Sequence, residues 1–241
     1  MLFGSDCGPG QVIGGLFRII IIPAGTGRLE RGFMGKTFWK TIAVCLASLA
    51  LGCVVVYLWW QGTAVKWADD GAPSYAEAHL LNKNPWSRPG TKLEKVNNIV
   101  IHYVANPGTS ALANRNYFNE LQKNYRTGGT TKASAHFIVG LSGEVIQCIP
   151  MTEVAYANHP RNEDTVSREV CHPDASGKFA DETYQAVVKL AADLCRQYGL
   201  TEEAVIRHHD VSGKACPLYY VEHEDAWAEM KEAIGASLRQ P

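Results

Sequence analysis

The chain has 241 residues, a formal net charge of −1, 46% hydrophobic residues and 20% charged residues. That length suits one ordinary domain with additional segments, and the composition excludes wholesale disorder. The near-neutral charge argues against nucleic acid as a partner, because phosphate binding draws on a surplus of basic residues.

An uncharged apolar run extends from Thr41 to Trp60. About 20 apolar residues in a helix span the ~30 Å hydrocarbon core of a bilayer. Basic residues precede the run and acidic residues follow it, namely Arg28, Arg31, Lys36 and Lys40 before it and Asp69 and Asp70 after it. The positive-inside rule therefore predicts a single-pass signal anchor (41–60), with a cytoplasmic leader (1–40) and the remainder of the chain outside the cell membrane.

Two alternatives to the anchor stay open. The run could be a buried core helix, or it could be a signal peptide that is cleaved near Gly62-Thr63-Ala64, which would give a secreted protein. Because GKTFWK after Met34 is typical of the basic start of a signal anchor, we also hypothesise that translation begins at Met34. Residues 61–90 contain scattered prolines and glycines without sustained periodicity, which predicts a linker.

Regular patterns of strands and helices follow, so that residues 91–241 are expected to form one α/β domain with a mixed central β-sheet flanked by helices. The predicted strands are NNIVIHYV (97–104), SAHFIVG (134–140), EVIQCIP (144–150), TVSREV (165–170) and AVIRHH (204–209). The predicted helices are 110–125, with Leu112, Tyr117, Leu121 and Tyr125 on one face, 181–198, ended by Gly199, and 225–238.

Four potential metal ligands lie at or just after predicted strands: His102, the pair His208 and His209, and Cys216. Two histidines and one cysteine bind Zn²⁺ through nitrogen and thiolate and leave a fourth position open, as catalytic zinc sites do. Taken singly, however, a histidine in a strand is more often a hydrogen-bonded core residue, and a cysteine is usually a small buried hydrophobe.

Four segments occur in the order IVIHYVANPGTS, SAHFIVGLSGEVIQCIP, NEDTVSREVCHPDASGKF and IRHHDVSGKACP. Together they resemble the N-acetylmuramoyl-L-alanine amidase family, which includes phage amidase-type lysozymes and peptidoglycan recognition proteins, over about Val96 to Leu238. The resemblance implies a zinc-dependent hydrolase that cleaves the amide bond between N-acetylmuramic acid and the L-alanine of peptidoglycan. It implies His102, His208 and Cys216 as zinc ligands, with His209 and His136 as neighbours.

The same resemblance assigns the proton transfers to Glu169, as general base and then acid, and oxyanion stabilisation to Lys214. Phage enzymes carry a catalytic tyrosine where this chain has Ala135, which favours the branch of the family that uses a glutamate. Four loop residues are expected to contact the substrate, namely Asn106, Thr109, Asn158 and His159. Tyr103 and Tyr156 are further candidates for the groove.

Three cysteines of the predicted domain are not assigned to zinc, namely Cys148, Cys171 and Cys195. If a disulfide forms, Cys148 and Cys171 are the expected pair, although a domain of this size is equally viable without one. We expect a monomer. Two other functions stay open: a module that recognises peptidoglycan without cutting it, and a zinc peptidase that acts on the stem peptide.

Overall fold

A computed structural model of the chain describes residues 35–63 and 67–240. The predicted leader up to Met34 lies outside the described residues. The helices are α1 (Lys36–Thr63), α2 (Ala111–Glu120), α3 (Asn124–Thr127), α4 (Asp181–Tyr198), α5 (His208–Ser212), α6 (Leu218–Glu222) and α7 (Glu224–Leu238). The strands are β1 (Glu77–Ala78), β2 (Asn98–Ile101), β3 (Phe137–Val139), β4 (Val145–Gln147), β5 (Thr165–Val170) and β6 (Val205–Arg207).

Helix α1 covers the predicted apolar run. Its stretch Phe38–Leu58 is long and apolar enough to cross a membrane, and none of that stretch is buried among the described residues. The described residues therefore do not enclose this stretch as they would a buried core helix. A signal anchor and an N-terminal signal sequence both have this character.

The remaining elements form a mixed α/β unit, as predicted. Among the described residues the sheet has six strands in the order β1-β4-β3-β5-β2-β6. Only β3 and β4 are antiparallel, joined by a tight turn, and all other neighbouring strands are parallel. Parallel strands end at a common edge, and this edge carries the candidate site.

Two apolar clusters cover the two faces of the sheet. Alternate side chains of β2, β3 and β5 pack with α4 and α7 in the larger cluster. The opposite face of β3 and β4 packs with α2 in the smaller cluster. Strands β3 and β4 therefore divide their side chains between two cores, because successive residues of a strand point to opposite faces.

The packed face of α2 differs from the predicted one. Leu112, Tyr117 and Tyr125 are 48%, 55% and 60% exposed. Of the four predicted residues Leu121 is buried, and it lies with Ala111, Asn114 and Phe118 on the buried side. The prediction counted apolar residues only, whereas Asn114 is buried because its side-chain amide donates hydrogen bonds to the Thr109 hydroxyl and the Ser110 carbonyl.

The predicted linker is packed against the sheet from Trp67 onward. Strand β1 pairs with β4, and Ala72 and Leu81 are each only 1% exposed. The Tyr75 hydroxyl donates a 2.8 Å hydrogen bond to Asp193 of α4. This stretch is therefore part of the folded unit and not a free tether.

The described cysteines of this unit are all free thiols, so Cys148 and Cys171 are not joined. Both are buried in the smaller cluster. This outcome matches the alternative of a domain that needs no disulfide.

Candidate metal centre and catalytic site

The register of three parallel strands brings the site together. Ile101, the last residue of β2, pairs with Arg168 of β5 and with Arg207 of β6. The residues that follow these three are His102, Glu169 and His208, which therefore lie side by side at the carboxyl edge of the sheet. The sequence predicted each of these strands, but only their register shows that the three residues are neighbours.

Cys216 reaches the same edge through a short loop. Helix α5 starts at His208 and ends at Ser212, and it is followed by Gly213, whose φ of 74° favours glycine. The chain then turns back, and the backbone N–H of His209 donates to the carbonyl of Cys216 at 2.9 Å. The His209 ring hydrogen-bonds the carbonyl of Lys214 through Nδ1, at 3.1 Å. His209 therefore holds the loop that carries the cysteine.

The three predicted ligands converge. His102 Nδ1 lies 3.7 Å from Cys216 Sγ, and the rings of His102 and His208 have centroids 4.5 Å apart. One potential ligand atom from each of the three residues lies within 4.8 Å of the others. His208 Nδ1 is buried and has no hydrogen-bond partner among the described residues. An orphaned imidazole nitrogen beside a second imidazole and a thiol fits a zinc ion, which prefers nitrogen and sulfur ligands.

The environment of these groups favours their uncharged forms. Burial, together with the charges of His208 and Lys214, lowers the pKa of His102 to about 3. Burial also lowers the pKa of His208, and it raises the pKa of the Cys216 thiol to about 12. Neutral imidazoles are ready to bind a metal, whereas the thiol needs a nearby cation before it loses its proton.

Glu169 and Lys214, the predicted catalytic pair, are both close to the ligands. Glu169 is half-buried, and its Oε2 atom has no hydrogen-bond partner among the described residues. Burial raises the pKa of Glu169 to about 8, and the charge of Lys214 partly opposes this rise. Lys214 is exposed, and its charge also lowers the pKa of His102 and His208. The site thus combines a carboxyl that holds a proton near neutral pH with a neighbouring cation.

A cleft of about 390 Å³ opens beside the candidate metal ligand His208. The other residues that line it are Lys132, Tyr156, Ala157, His159 and Asn162. The ammonium of Lys132 lies 5.3 Å from the centroid of the Tyr156 ring, within the range of a cation–π contact. His159 and Tyr156 were predicted from the sequence, while Lys132 and Asn162 were missed. Nothing in the polar TGGTTK loop distinguished Lys132 from an ordinary surface lysine.

Asn158, a predicted substrate contact, has a different position. It is 1% exposed, and its Oδ1 atom lies 2.5 Å from His102 Nε2. A side chain this deeply buried behind a metal ligand is not available to substrate. The two other predicted contacts, Asn106 and Thr109, bond to each other in the loop after β2 and are not among the residues that line the cleft.

His136 and Ala135 are packing residues. His136 is fully buried, where its Nδ1 accepts from the Ser167 N–H at 3.1 Å and its Nε2 lies 2.9 Å from the Glu153 carbonyl. Ala135 is also fully buried. Tyr103 packs its ring against His172, and its backbone N–H bonds to the Cys216 sulfur.

Comparison with known proteins finds similarity to amidases. The chain is 35% identical over 178 residues to the N-acetylmuramoyl-L-alanine amidase CwlL of Bacillus licheniformis, which covers 66% of this chain and 46% of that protein. It is 30% identical over 176 residues to the amidase BlyA of Bacillus subtilis strain 168, covering 64% and 45% respectively. The structure of the catalytic domain of XlyA superposes with a TM-score of 0.54 and 25% identity, and the match covers 66% of this chain and 99% of that one.

The chain spans about half the length of the curated relatives it matches. A family model described as N-acetylmuramoyl-L-alanine amidase (Amidase_2) matches residues 92–218, which is more than half of the chain. That range contains the three candidate metal ligands, Glu169 and Lys214. The chain therefore belongs to the N-acetylmuramoyl-L-alanine amidase family.

Proposed function

We propose that the chain is a zinc-dependent amidase that hydrolyses the bond between N-acetylmuramic acid and the L-alanine of the peptidoglycan stem. One observation supports the proposal. In this member of the family, the three potential zinc ligands lie at one edge of the sheet with Glu169, whose pKa is raised, and an open cleft lies beside them.

Zinc would be held by His102, His208 and Cys216. A zinc ion with three protein ligands makes water acidic near neutral pH and polarises a carbonyl oxygen. Because the buried Cys216 thiol has a raised pKa, its proton must leave as the metal binds. Metal uptake should therefore release protons and strengthen as the pH rises.

Glu169 performs the proton transfers in this proposal. In the ionised fraction of the protein, its carboxylate takes a proton from the water that attacks the amide carbon. It then returns that proton to the nitrogen of L-alanine as the carbon–nitrogen bond breaks. A raised pKa suits both steps, because the group can both gain and release a proton near neutral pH. The ammonium of Lys214 stabilises the negative charge that develops on the amide oxygen.

The cleft beside His208 is the proposed binding surface for the substrate. Tyr156 offers an aromatic face of the kind on which sugar rings and peptide carbons pack, and Lys132, His159 and Asn162 offer polar groups around it. Asn106 and Thr109 keep a proposed place at the rim, in the loop after β2.

The ligand set argues against a module that only recognises peptidoglycan. Binding alone needs no metal and no isolated carboxyl, and burying an unpartnered carboxyl destabilises a fold. A zinc peptidase acting on the stem peptide would use the same groups, so only the position of the cut separates it from an amidase.

For the whole protein we propose a monomer anchored in the cell membrane by α1, with the catalytic unit outside. Arg28, Arg31, Lys36 and Lys40 before the apolar stretch support this orientation. The alternative is secretion after cleavage of the same helix.

The products from a defined muropeptide test the function. The purified chain should convert a disaccharide-peptide into free disaccharide and free peptide, and a chelator should abolish turnover until zinc is restored. A shortened stem would identify a peptidase, and unchanged substrate in the presence of zinc would identify a binding module.

A further inference from the structure

A chain of buried hydrogen bonds runs from the backbone to a metal ligand. The Thr165 hydroxyl donates to the Arg161 carbonyl at 2.7 Å. The same hydroxyl oxygen lies 2.7 Å from Asn158 Nδ2, and Asn158 Oδ1 lies 2.5 Å from His102 Nε2. Asn158, Thr165 and His102 are each no more than 2% exposed, so water does not compete for these groups.

The direction of each of these hydrogen bonds follows from which group can donate a proton and which can only accept one. A carbonyl oxygen only accepts, so the single hydroxyl proton of Thr165 points to Arg161. The hydroxyl can then only accept from Asn158, whose NH₂ group must face it. That leaves the amide oxygen of Asn158 facing His102, and an amide oxygen only accepts. The proton of the neutral His102 ring therefore sits on Nε2, and the lone pair sits on Nδ1.

We infer that Asn158 is a positioning residue for the metal, because it fixes the tautomer and ring orientation of His102 and is itself fixed by Thr165. His102 Nδ1 is the atom that faces Cys216 Sγ. A metal-binding histidine commonly donates its other N–H to such a partner, which orients the ring and strengthens the ligand.

The local backbone holds Asn158 in this place. The side-chain oxygen of Asn162 accepts from the backbone N–H groups of Ala157 and Asn158, at 3.1 and 2.6 Å. Asn162 also lines the cleft beside His208. The segment 157–165 thus joins the candidate substrate surface to the ligand behind it.

This inference rests on the metal site proposed above, so zinc affinity is measured directly on the full-length chain in detergent, by competition with a chelating zinc indicator. Asn158→Ala leaves the His102 N–H without a buried acceptor and should weaken zinc binding by about 10–100-fold. Asn114→Ala is the matched control, because Asn114 is also a buried hydrogen-bonded asparagine but does not touch a ligand. Its zinc affinity should equal that of the wild type.

Asn158→Asp keeps an acceptor opposite His102 and should restore zinc affinity to within about threefold of the wild type or better, because carboxylates serve as partners of metal-binding histidines. Thr165→Val removes the group that orients the amide and should weaken binding by about 3–10-fold in the wild-type background. In the N158D background the same change should cost less than about twofold, since either carboxylate oxygen accepts from His102.

Several outcomes would overturn the inference. It is wrong if N158A binds zinc as tightly as N114A does, or if both only lower the unfolding temperature. An equal effect of T165V with and without N158D would remove the orienting role of the hydroxyl. If N158A does not fold, the zinc affinities of T165V, N158D and the double variant still test the inference. A wild-type chain that binds no zinc would sink the metal site itself, and the inference with it.

Discussion

At the scale of single residues, Glu169 is a candidate catalytic group that destabilises the folded state. Its Oε2 atom is buried without a partner, and the resulting rise of its pKa to about 8 means that the carboxylate form is disfavoured in the fold. Perturbed carboxyls of this kind concentrate at functional sites, where they often reduce stability. Two predictions follow from this residue, one on rate and one on stability.

Glu169→Gln keeps the size of the side chain but cannot carry a proton between water and the leaving nitrogen. Turnover of a muropeptide should fall by about 10²–10⁴-fold while the zinc content stays at the wild-type level. Steady-state rates and elemental analysis measure the two quantities. Glu163→Gln, at an exposed position, is the control and should leave both unchanged. Equal turnover in E169Q and the wild type would move the proton transfer to another group.

The same substitution should stabilise the metal-free protein at high pH. The pKa of Glu169 is raised in the fold from 4.5 to about 8, so the folded state binds the proton more tightly than the unfolded state does. Between pH 4.5 and about pH 8, the unfolding free energy of the wild type should fall by up to about 1.4 kcal/mol per pH unit relative to that of E169Q. Urea unfolding in chelator should therefore show similar stabilities near pH 4.5 and a more stable E169Q at pH 8. Parallel curves for the two proteins would contradict a buried, proton-holding carboxyl.

The residues of the site differed in how far sequence could identify them. His102, His208 and Cys216 stand in segments that resemble the family, and Glu169 and Lys214 were assigned by the same resemblance. Asn158 was misplaced, because a loop asparagine in a sequence carries no sign of whether it faces substrate or the back of a ligand. Its burial depends on contacts with Thr165 and His102, which only the fold brings together.

At the scale of elements, the strands that build the site were predictable and the peripheral ones were not. Short apolar, β-branched segments predicted β2, β5 and β6, and the segments SAHFIVG and EVIQCIP predicted β3 and β4. Strand β1 has two residues and therefore no periodicity, and α6 has five. The segment around β1 read as a linker because its contacts are made by isolated side chains such as Tyr75.

Those isolated contacts should contribute to stability. Tyr75→Phe removes the hydrogen bond to the buried carboxylate of Asp193 and should lower the unfolding free energy by about 1–2 kcal/mol. Tyr117→Phe is the control, because that ring is 55% exposed and its hydroxyl makes no hydrogen bond to the described residues. Urea unfolding at pH 7 compares them. Identical midpoints for the two variants would mean that the segment around Tyr75 does not stabilise the fold.

At the scale of the whole molecule, one apolar helix precedes a folded unit that resembles complete catalytic domains of other amidases. The structure of the XlyA catalytic domain is covered over 99% of its length. The match to the curated amidases, by contrast, spans less than half of each of them. The chain thus matches one part of each curated amidase, and the place where its folded unit works depends on whether α1 is an anchor or a signal peptide.

If α1 is an anchor, protease added to wall-free cells should release an active fragment that starts just before the packed segment at Trp67. The segment from Trp67 to Gly90 should resist cutting, because β1 pairs with β4 and the Tyr75 hydroxyl donates a hydrogen bond to Asp193 of α4. Mass spectrometry of the released fragment locates the cut. An active protein in the medium before protease is added would indicate a cleaved signal peptide, and a fully protected domain would reverse the proposed topology.

The position at which water oxygen enters the products tests the central claim most directly. A muropeptide of defined stem should be digested by the zinc-loaded chain in water enriched in ¹⁸O, and the products weighed by mass spectrometry. An amidase places one ¹⁸O atom in the lactyl carboxylate of the muramic acid product and leaves the free stem peptide unlabelled. Label in a carboxylate of a shortened stem, or intact muropeptide at the end of the digestion, would contradict the proposed function.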